Sequence, residues 1–463
     1  MNRKLINHFL PLSAALAFFP CTTAHAQMPI KIDEKVTAEM VTAPPSAAKP
    51  TKWSFSECVD WAISNSTEIR RNILSILQAD ENIGAAKDAW LPSVGFSMNH
   101  NFTNYPSPND GNRSNIYGSN YGVNASWTVW EGNIRKYRLE SAKITRRQQE
   151  LAGDDAAHTI KLGILQAYLN IMYAREAVEI ATQTLQVSTS QTERAKRLME
   201  SGRTSKVDFA QIESQMAQDT YNLVQAESNV ESAKMNLKKI LELGIDYNLE
   251  IEDVDFSDSE VLASLPEMND VFSFASSWLP SFKSNDLSKD IYENDIKIAK
   301  AGRAPEIALT GGVSSGYTSG GPAWGTQMGH NLNESVGLSF SIPIYDANAT
   351  KRKVAQAKLS ALEYDLANES LLNNLSQTIE SLYIDARNAK AKFLSGQTQL
   401  EATGLTADLV NRQFELGLVN PLELLTAHNN LLNARLEMLQ NKYMAILANK
   451  TITYYATTQI SLP

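Results

Sequence analysis

Cysteine is nearly absent: a chain of 463 residues holds two, Cys21 and Cys58. Cys21 falls in an amino-terminal segment expected to be removed. Cys58 then stands alone, which excludes an intrachain disulfide and a multi-cysteine metal site. Beyond that segment there is no run of eighteen apolar residues, so no transmembrane helix is expected. Basic residues are outnumbered, 42 against 51 acidic ones, which argues against nucleic acid as a partner. Histidine is sparse. His100, His158, His330 and His428 are scattered, and none has the i, i+4 spacing of a helical metal site. Gly311-Gly312 and Gly320-Gly321 lack the context of a phosphate loop. No Ser/His/Asp set or carboxylate pair is placed for catalysis, so neither enzyme nor cofactor is expected.

Proline is missing from two stretches of roughly 68 residues, Gly132 to Met199 and Ala347 to Phe414. In the second, small or apolar residues recur in alternating steps of three and four: Leu372, Leu375, Ile379, Leu382, Ala386, Ala389, Phe393, and on to Val410 and Phe414. Subtracting 215 finds the same pattern in the first, from Ala157, Ile160 and Ile164 to Ala195 and Met199. Strict three-four alternation is a coiled-coil seam, narrower than the stripe of an ordinary helix. At 1.5 Å per residue each helix is about 100 Å long. Polar residues crowd the other faces, so these are rods that pack on other rods.

At the amino terminus, Arg3 and Lys4, the apolar run Phe9 to Pro20 and Ala24-His25-Ala26 read as a secretory signal over residues 1–26. The Phe18-Phe19-Pro20 before Cys21 lacks the small residues that lipid attachment usually requires. Removing the signal takes two of the 42 basic residues and no acid, leaving 40 against 51, a charge of −11. Residues 27–52, with Pro44, Pro45 and Pro50, read as an extended leader.

From Ser54 the chain repeats one order twice. A helix to about Trp90 ends before Pro92. A hairpin spans about 93–130, where Val94, Phe96 and Met98, then Tyr121, Val123, Ala125, Trp127 and Val129, alternate with polar or small residues. Its loop, Tyr105 to Tyr117, is rich in Pro, Gly, Asn and Ser and is expected to be exposed and mobile. The first rod (about 132–199) turns at Ser201-Gly202 into a shorter helix from Ser205 to about Leu243. An acidic linker, 244–266, precedes the second copy, 267–457. That copy has a helix broken at Pro305, a hairpin over about 306–345, a rod over about 347–414 and a last helix from Pro421. Residues 458–463 form a tail. The fold class is therefore mixed, α with membrane β, in a tandem repeat of helix, hairpin, rod and helix over 53–243 and 267–457.

Each strand is about ten residues, enough to cross a hydrocarbon layer when tilted, with one apolar and one polar face. Four strands leave two open edges, which lipid does not tolerate, and enclose no lumen. Other copies of the chain are needed for closure, and the rods would prolong the resulting wall into a conduit. Tyr121, Trp127, Trp130 and Tyr345 fit an aromatic girdle at the membrane interface.

The sequence resembles the TolC family of outer-membrane efflux ducts over essentially the whole mature chain. The residues that carry this are Trp90-Leu91-Pro92-Ser93, Ser126-Trp127-Thr128-Val129-Trp130-Glu131-Gly132-Asn133 and Leu338-Ser339-Phe340-Ser341-Ile342-Pro343-Ile344-Tyr345-Asp346. The turns Gly202-Arg203-Thr204-Ser205-Lys206-Val207-Asp208 and Gly417-Leu418-Val419-Asn420-Pro421-Leu422-Glu423 are similar to the family's helix-hairpin tips. The resemblance implies a homotrimer with a twelve-stranded barrel in outer-membrane lipid and a helical tunnel in the periplasm. It also implies a periplasmic membrane-fusion adaptor and an inner-membrane pump or exporter as partners.

The turns would then touch the adaptor, through Gly202, Arg203, Thr204, Gly417, Leu418, Val419 and Pro421. Glu423 matches the first acidic position of the family's periplasmic gate. The second is Thr426 here, a departure, and Asp208 with Gln211 are the first-half counterparts. Asp208 and Glu423 also suit the first turn of a helix, where the dipole favours an acid. Two other classes are to be told apart from a duct. A coiled-coil spacer or surface adhesin would carry no current, and a periplasmic enzyme or binding protein would be a soluble monomer.

Overall fold

A computed structural model describes residues 50–106 and 115–462. The expected signal segment with Cys21, the leader up to residue 49 and the centre of the first hairpin loop lie outside them. Ten helices and four strands follow in the described residues. They are α1 (Phe55–Asn65), α2 (Thr67–Asp88), β1 (Ser93–Asn104), β2 (Asn115–Glu131), the rod α3 (Ile134–Glu200) and α4 (Lys206–Ile240). Then come α5 (Asp258–Val261), α6 (Met268–Trp278), α7 (Pro280–Ala301), β3 (Glu306–Thr318), α8 (Trp324–His330) and β4 (Asn333–Ser341). The second rod is α9 (Ala349–Glu415), and α10 (Pro421–Thr457) closes the order.

Every seam position named above is buried or half-buried on both rods. Rod α3 packs against α2 along its sheet-side half and α4 along the other; α9 packs in the same way against α7 and α10, and α7 touches both rods. The main core gathers where these helices meet, around Tyr168, Leu165, Leu237, Phe393 and Ile446. Trp53 is pinned into it by a parallel bridge to Ile251 and a 2.9 Å hydrogen bond from its Nε1 to the Tyr247 hydroxyl. The linker thus carries structure of its own, including the single turn α5. Cys58 is buried in the same core, and burial, helped by the charge of Glu57, pushes its thiol up to about 12.

Three expectations need correction. The helix from Ser54 is two helices, broken at Ser66, which takes an extended ψ of 128° and caps the next helix by accepting from the Glu68 amide. Its counterpart breaks 213 residues later, at Leu279 (ψ 130°), because Pro280 forbids a helical residue before it. Strand β4 stops at Ser341, leaving Ile342, Ile344 and Tyr345 outside the ladder, since Pro343 has no amide to donate.

All four strands form one antiparallel sheet in the order β1-β2-β3-β4, so β1 and β4 are unpaired edges. Among the described residues no helix is long and apolar enough to cross a membrane.

Candidate functional site

The register decides what the sheet can do. Phe96 pairs with Val123, Val123 with Val313, Trp127 with Leu309, and Leu309 with Leu338. Because side chains alternate, these residues and Val94, Met98, Val336 and Phe340 share one face. Among the described residues its apolar side chains are bare: none belongs to a buried apolar cluster, Phe96, Leu338 and Val336 are 68, 72 and 87% exposed, and only the loop-side end, at Ser119 and Ser315, is buried, where Ser315 Oγ donates to the Met328 carbonyl of α8. The opposite face carries Ser97, Asn99, Asn120, Asn124, Thr310, Ser335 and Ser339, uncharged and small.

Aromatic residues bound the apolar band at both ends. Toward the loops, the His100 ring stacks on Tyr117 and meets Tyr121 edge-on, and Tyr117 contacts Tyr317. Toward the rods, Trp127 Nε1 donates to the Trp90 carbonyl at 2.8 Å, with Trp130 nearby in sequence on the same strand. The four expected girdle residues therefore divide: Tyr121 sits in the loop-side set, Trp127 and Trp130 in the rod-side set, and exposed Tyr345 follows β4. Sequence reasoning missed His100, Tyr117, Tyr317 and Trp90, although the period-2 pattern places the first three on the same face.

Arg135 joins sheet to rod. Its guanidinium donates to the Val129 and Ala89 carbonyls, lies 3.3 Å from Glu131 and covers the Trp90 ring at 4.7 Å. At the corresponding place in the second half, Asp346 Oδ2 accepts from the Thr350 amide.

The two rod-to-helix turns are built alike. Gly202 and Gly417 have φ of 70° and 73°, the left-handed geometry that glycine adopts without steric cost. The next amides, of Arg203 and Leu418, reach back to the Leu198 and Gln413 carbonyls and close each rod in a Schellman motif. Ser205 Oγ accepts from the Asp208 amide at 3.0 Å, while Asp208 Oδ2 accepts from the Ser205 amide. Asn420 plays the same part, its Oδ1 accepting from the Glu423 amide at 2.9 Å. The Asp208 carboxylate thus completes a capping box, whereas the Glu423 carboxylate accepts from the Asn420 side-chain amide at 3.2 Å; the two acids stand 215 apart, as do Gln211 and Thr426 beyond them.

Glu423, Thr426 and Gln211 are exposed and Asp208 is half-exposed. Of the turn residues, Gly202, Arg203, Gly417 and Leu418 are exposed, Thr204 and Val419 half-buried, and Pro421 buried. Val207, Leu416 and Leu422, not among the residues expected to touch the adaptor, add exposed apolar surface to the turns.

The structure and sequence are similar to known proteins over most of the chain. The sequence is 20% identical over 390 residues to the outer membrane efflux protein BepC of Brucella suis, covering 84% of this chain and 82% of that one. It is 23% identical over 388 residues to the outer membrane protein TolC of Escherichia coli, covering 81% and 76%. The fold superposes on a crystal structure of CusC with a TM-score of 0.72 at 16% identity, over 88% of this chain and 95% of that one. The family described as outer membrane efflux protein matches residues 59–242 and 279–456, that is, both repeats. The chain belongs to the outer membrane efflux protein family.

Proposed function

We propose that three copies of this chain close their sheets into one twelve-stranded barrel in the outer membrane and continue it as a helical duct through the periplasm. One observation carries the reading: a four-stranded sheet with a bare apolar face and two unpaired edges, β1 and β4, is attached in series to two rods. Lipid covers the bare face, and neighbouring copies satisfy the edges, since an open edge costs several kcal/mol per unpaired group in hydrocarbon. Exposed leucines on α9, such as Leu359, Leu362 and Leu366, provide apolar surface for a second copy along the rod.

In this assembly the duct performs no chemistry. It passes substrate from an inner-membrane pump and a periplasmic adaptor to the exterior. The turns, through Gly202, Arg203, Thr204, Gly417, Leu418, Val419 and Pro421, meet the adaptor. Three copies of Glu423, with Asp208 beside them, form an acidic mouth, and Gln211 and Thr426 extend it inward. The loop-side and rod-side aromatics mark the two faces of the membrane.

Planar-bilayer recording of the detergent-extracted chain tests the reading. Discrete conductance steps are expected. A coiled-coil spacer with a β cap gives none, and that result overturns it.

A further inference from the structure

The loop between β3 and β4 is folded against the sheet. β4 begins at Asn333, which pairs with Ser314, so β3 runs on from Ser315 to Thr318 with no strand on that side. Side chains of α8 and of the residue after it take the place of the missing strand. Gln327, 8% exposed, donates through Nε2 to the Thr318 carbonyl at 2.9 Å and to the Pro322 carbonyl at 2.7 Å, and its Oε1 accepts from the Thr318 amide at 3.0 Å. Asn331 Nδ2 donates to the Gly316 carbonyl at 2.7 Å, and Ser315 Oγ to the Met328 carbonyl at 2.7 Å. A loop in water has no need of such closure, because water satisfies exposed backbone groups. Hydrocarbon and its border do not.

Position, composition and helix face all point to lipid. Ser315 alternates in phase with Leu309 and Val313, so α8 lies over the apolar face of the sheet and not the polar one. Tyr317 follows on that face within the loop-side aromatic set, and on β4 the carboxylate of Glu334 ends the apolar run of Val336, Leu338 and Phe340. α8 thus stands where the apolar face gives way to polar residues. Residues 319–332 hold no Asp, Glu, Lys or Arg, although 20% of the whole chain is charged. At about 100° per residue, Trp324 and Met328 fall on one side of α8 with Gln327, and Thr326 and His330 on the other. Trp324 and Leu332 are large apolar groups left 55 and 56% exposed.

We propose that α8 is an interfacial lipid anchor: Trp324 and Leu332 sink into the glycerol and headgroup zone of the outer leaflet, while Thr326 and His330 face water. Tryptophan favours that zone because its ring is apolar and its N–H needs a polar partner. A helix with one apolar and one uncharged polar side lies in the plane of such a boundary. The inference rests on the barrel reading, and it sends this loop outward against the wall rather than across the mouth.

Fluorescence of the full chain in lipid vesicles tests it, with the Trp324 component taken as parent minus Trp324→Phe. That component is expected to lose most of its intensity in phosphatidylcholine brominated near the headgroup end of its acyl chains, and little to aqueous iodide. Iodide quenching that exceeds bromolipid quenching puts Trp324 in water, and quenching by neither puts it under a neighbouring copy; both refute the anchor. Cysteine labelling keeps the test decisive should Trp324→Phe fail to fold. Cys58, the one cysteine among the described residues, is buried. With an impermeant maleimide on vesicles opened by freeze–thaw, Thr326→Cys is expected to react and Leu332→Cys to be protected. Leu332→Cys that reacts as fast as Thr326→Cys refutes the anchor. Any of these refuting results in a chain that conducts leaves the duct standing. No conductance from the parent chain refutes the barrel reading itself.

Discussion

Asn133 and Asn348 stand 215 residues apart and share one backbone conformation, φ 66° and 65°, at the passage from strand to rod. Each is preceded by another left-handed residue, Gly132 in the first half and Ala347 in the second. Two successive positive φ values turn the chain out of the sheet and aim it along the rod. The repeat thus preserves a geometry that the residue types only partly favour. A Cβ on Gly132 would stand 2.6 Å from the Ala304 Cβ, so there the glycine is also a matter of space.

Gly132→Ala is therefore expected to destabilise by about 2 kcal/mol or more, from the left-handed strain plus the collision. Ala347→Gly relieves strain and is expected to be neutral or stabilising by up to about 1 kcal/mol. Thermal unfolding of both variants in detergent checks the contrast; equal shifts of one sign contradict it.

The two faces of the sheet give a second contrast. Leu338 lies on the bare apolar face and Ser339 on the polar one. Leu338→Arg places a charge in hydrocarbon and is expected to cost about 2–4 kcal/mol of insertion free energy. In the proposed barrel Ser339→Arg faces the lumen and is expected to leave insertion nearly unchanged. Folding yield into lipid vesicles measures both.

His158 predicts acid sensitivity. Its ring stacks on Tyr454, and its Nδ1 lies 2.9 Å from that hydroxyl. Burial holds its pKa below the ordinary histidine value; Lys161 acts in the same direction and Asp155 opposes it. The folded state therefore binds fewer protons than the unfolded chain. Its stabilising effect is complete above the unfolded pKa of about 6.5 and is lost as pH falls below that value. His158→Phe is expected to flatten this part of the stability profile, measured by denaturant unfolding between about pH 7.5 and 5.5 (roughly one unit either side of that pKa). An unchanged slope contradicts the assignment.

At the turns, Asp208→Asn with Glu423→Gln separates two roles. The caps survive, since Ser205 and Asn420 still accept from the amides, and the stability loss is expected to be about 1 kcal/mol or less. If they form the proposed acidic mouth, cation preference in single-channel recordings is expected to fall. Unchanged selectivity rejects the acidic ring.

Much of this was legible because periodicity is a property of many residues at once. The rods survive any single exception, so both seams and both hairpins could be read from spacing alone. The break at Leu279 was not read although Pro280 marks it, whereas that at Ser66 has only a serine to announce it. The anchoring of Trp53 beside Ile251 joins residues nearly 200 apart in the chain, where no periodic signal reaches. Asp219 of α4 and His428 of α10, whose buried side chains meet at 3.0 Å, were hidden for a related reason. They are 209 apart, off the repeat's offset of 215, so comparing the two halves does not pair them.

The central claim is that this sheet is completed by other copies of the same chain. The measurement that tests it most directly is an end-on electron-microscopy view of the detergent-extracted particle. The account predicts threefold symmetry around an open centre. A monodisperse single subunit, soluble without detergent, would contradict it.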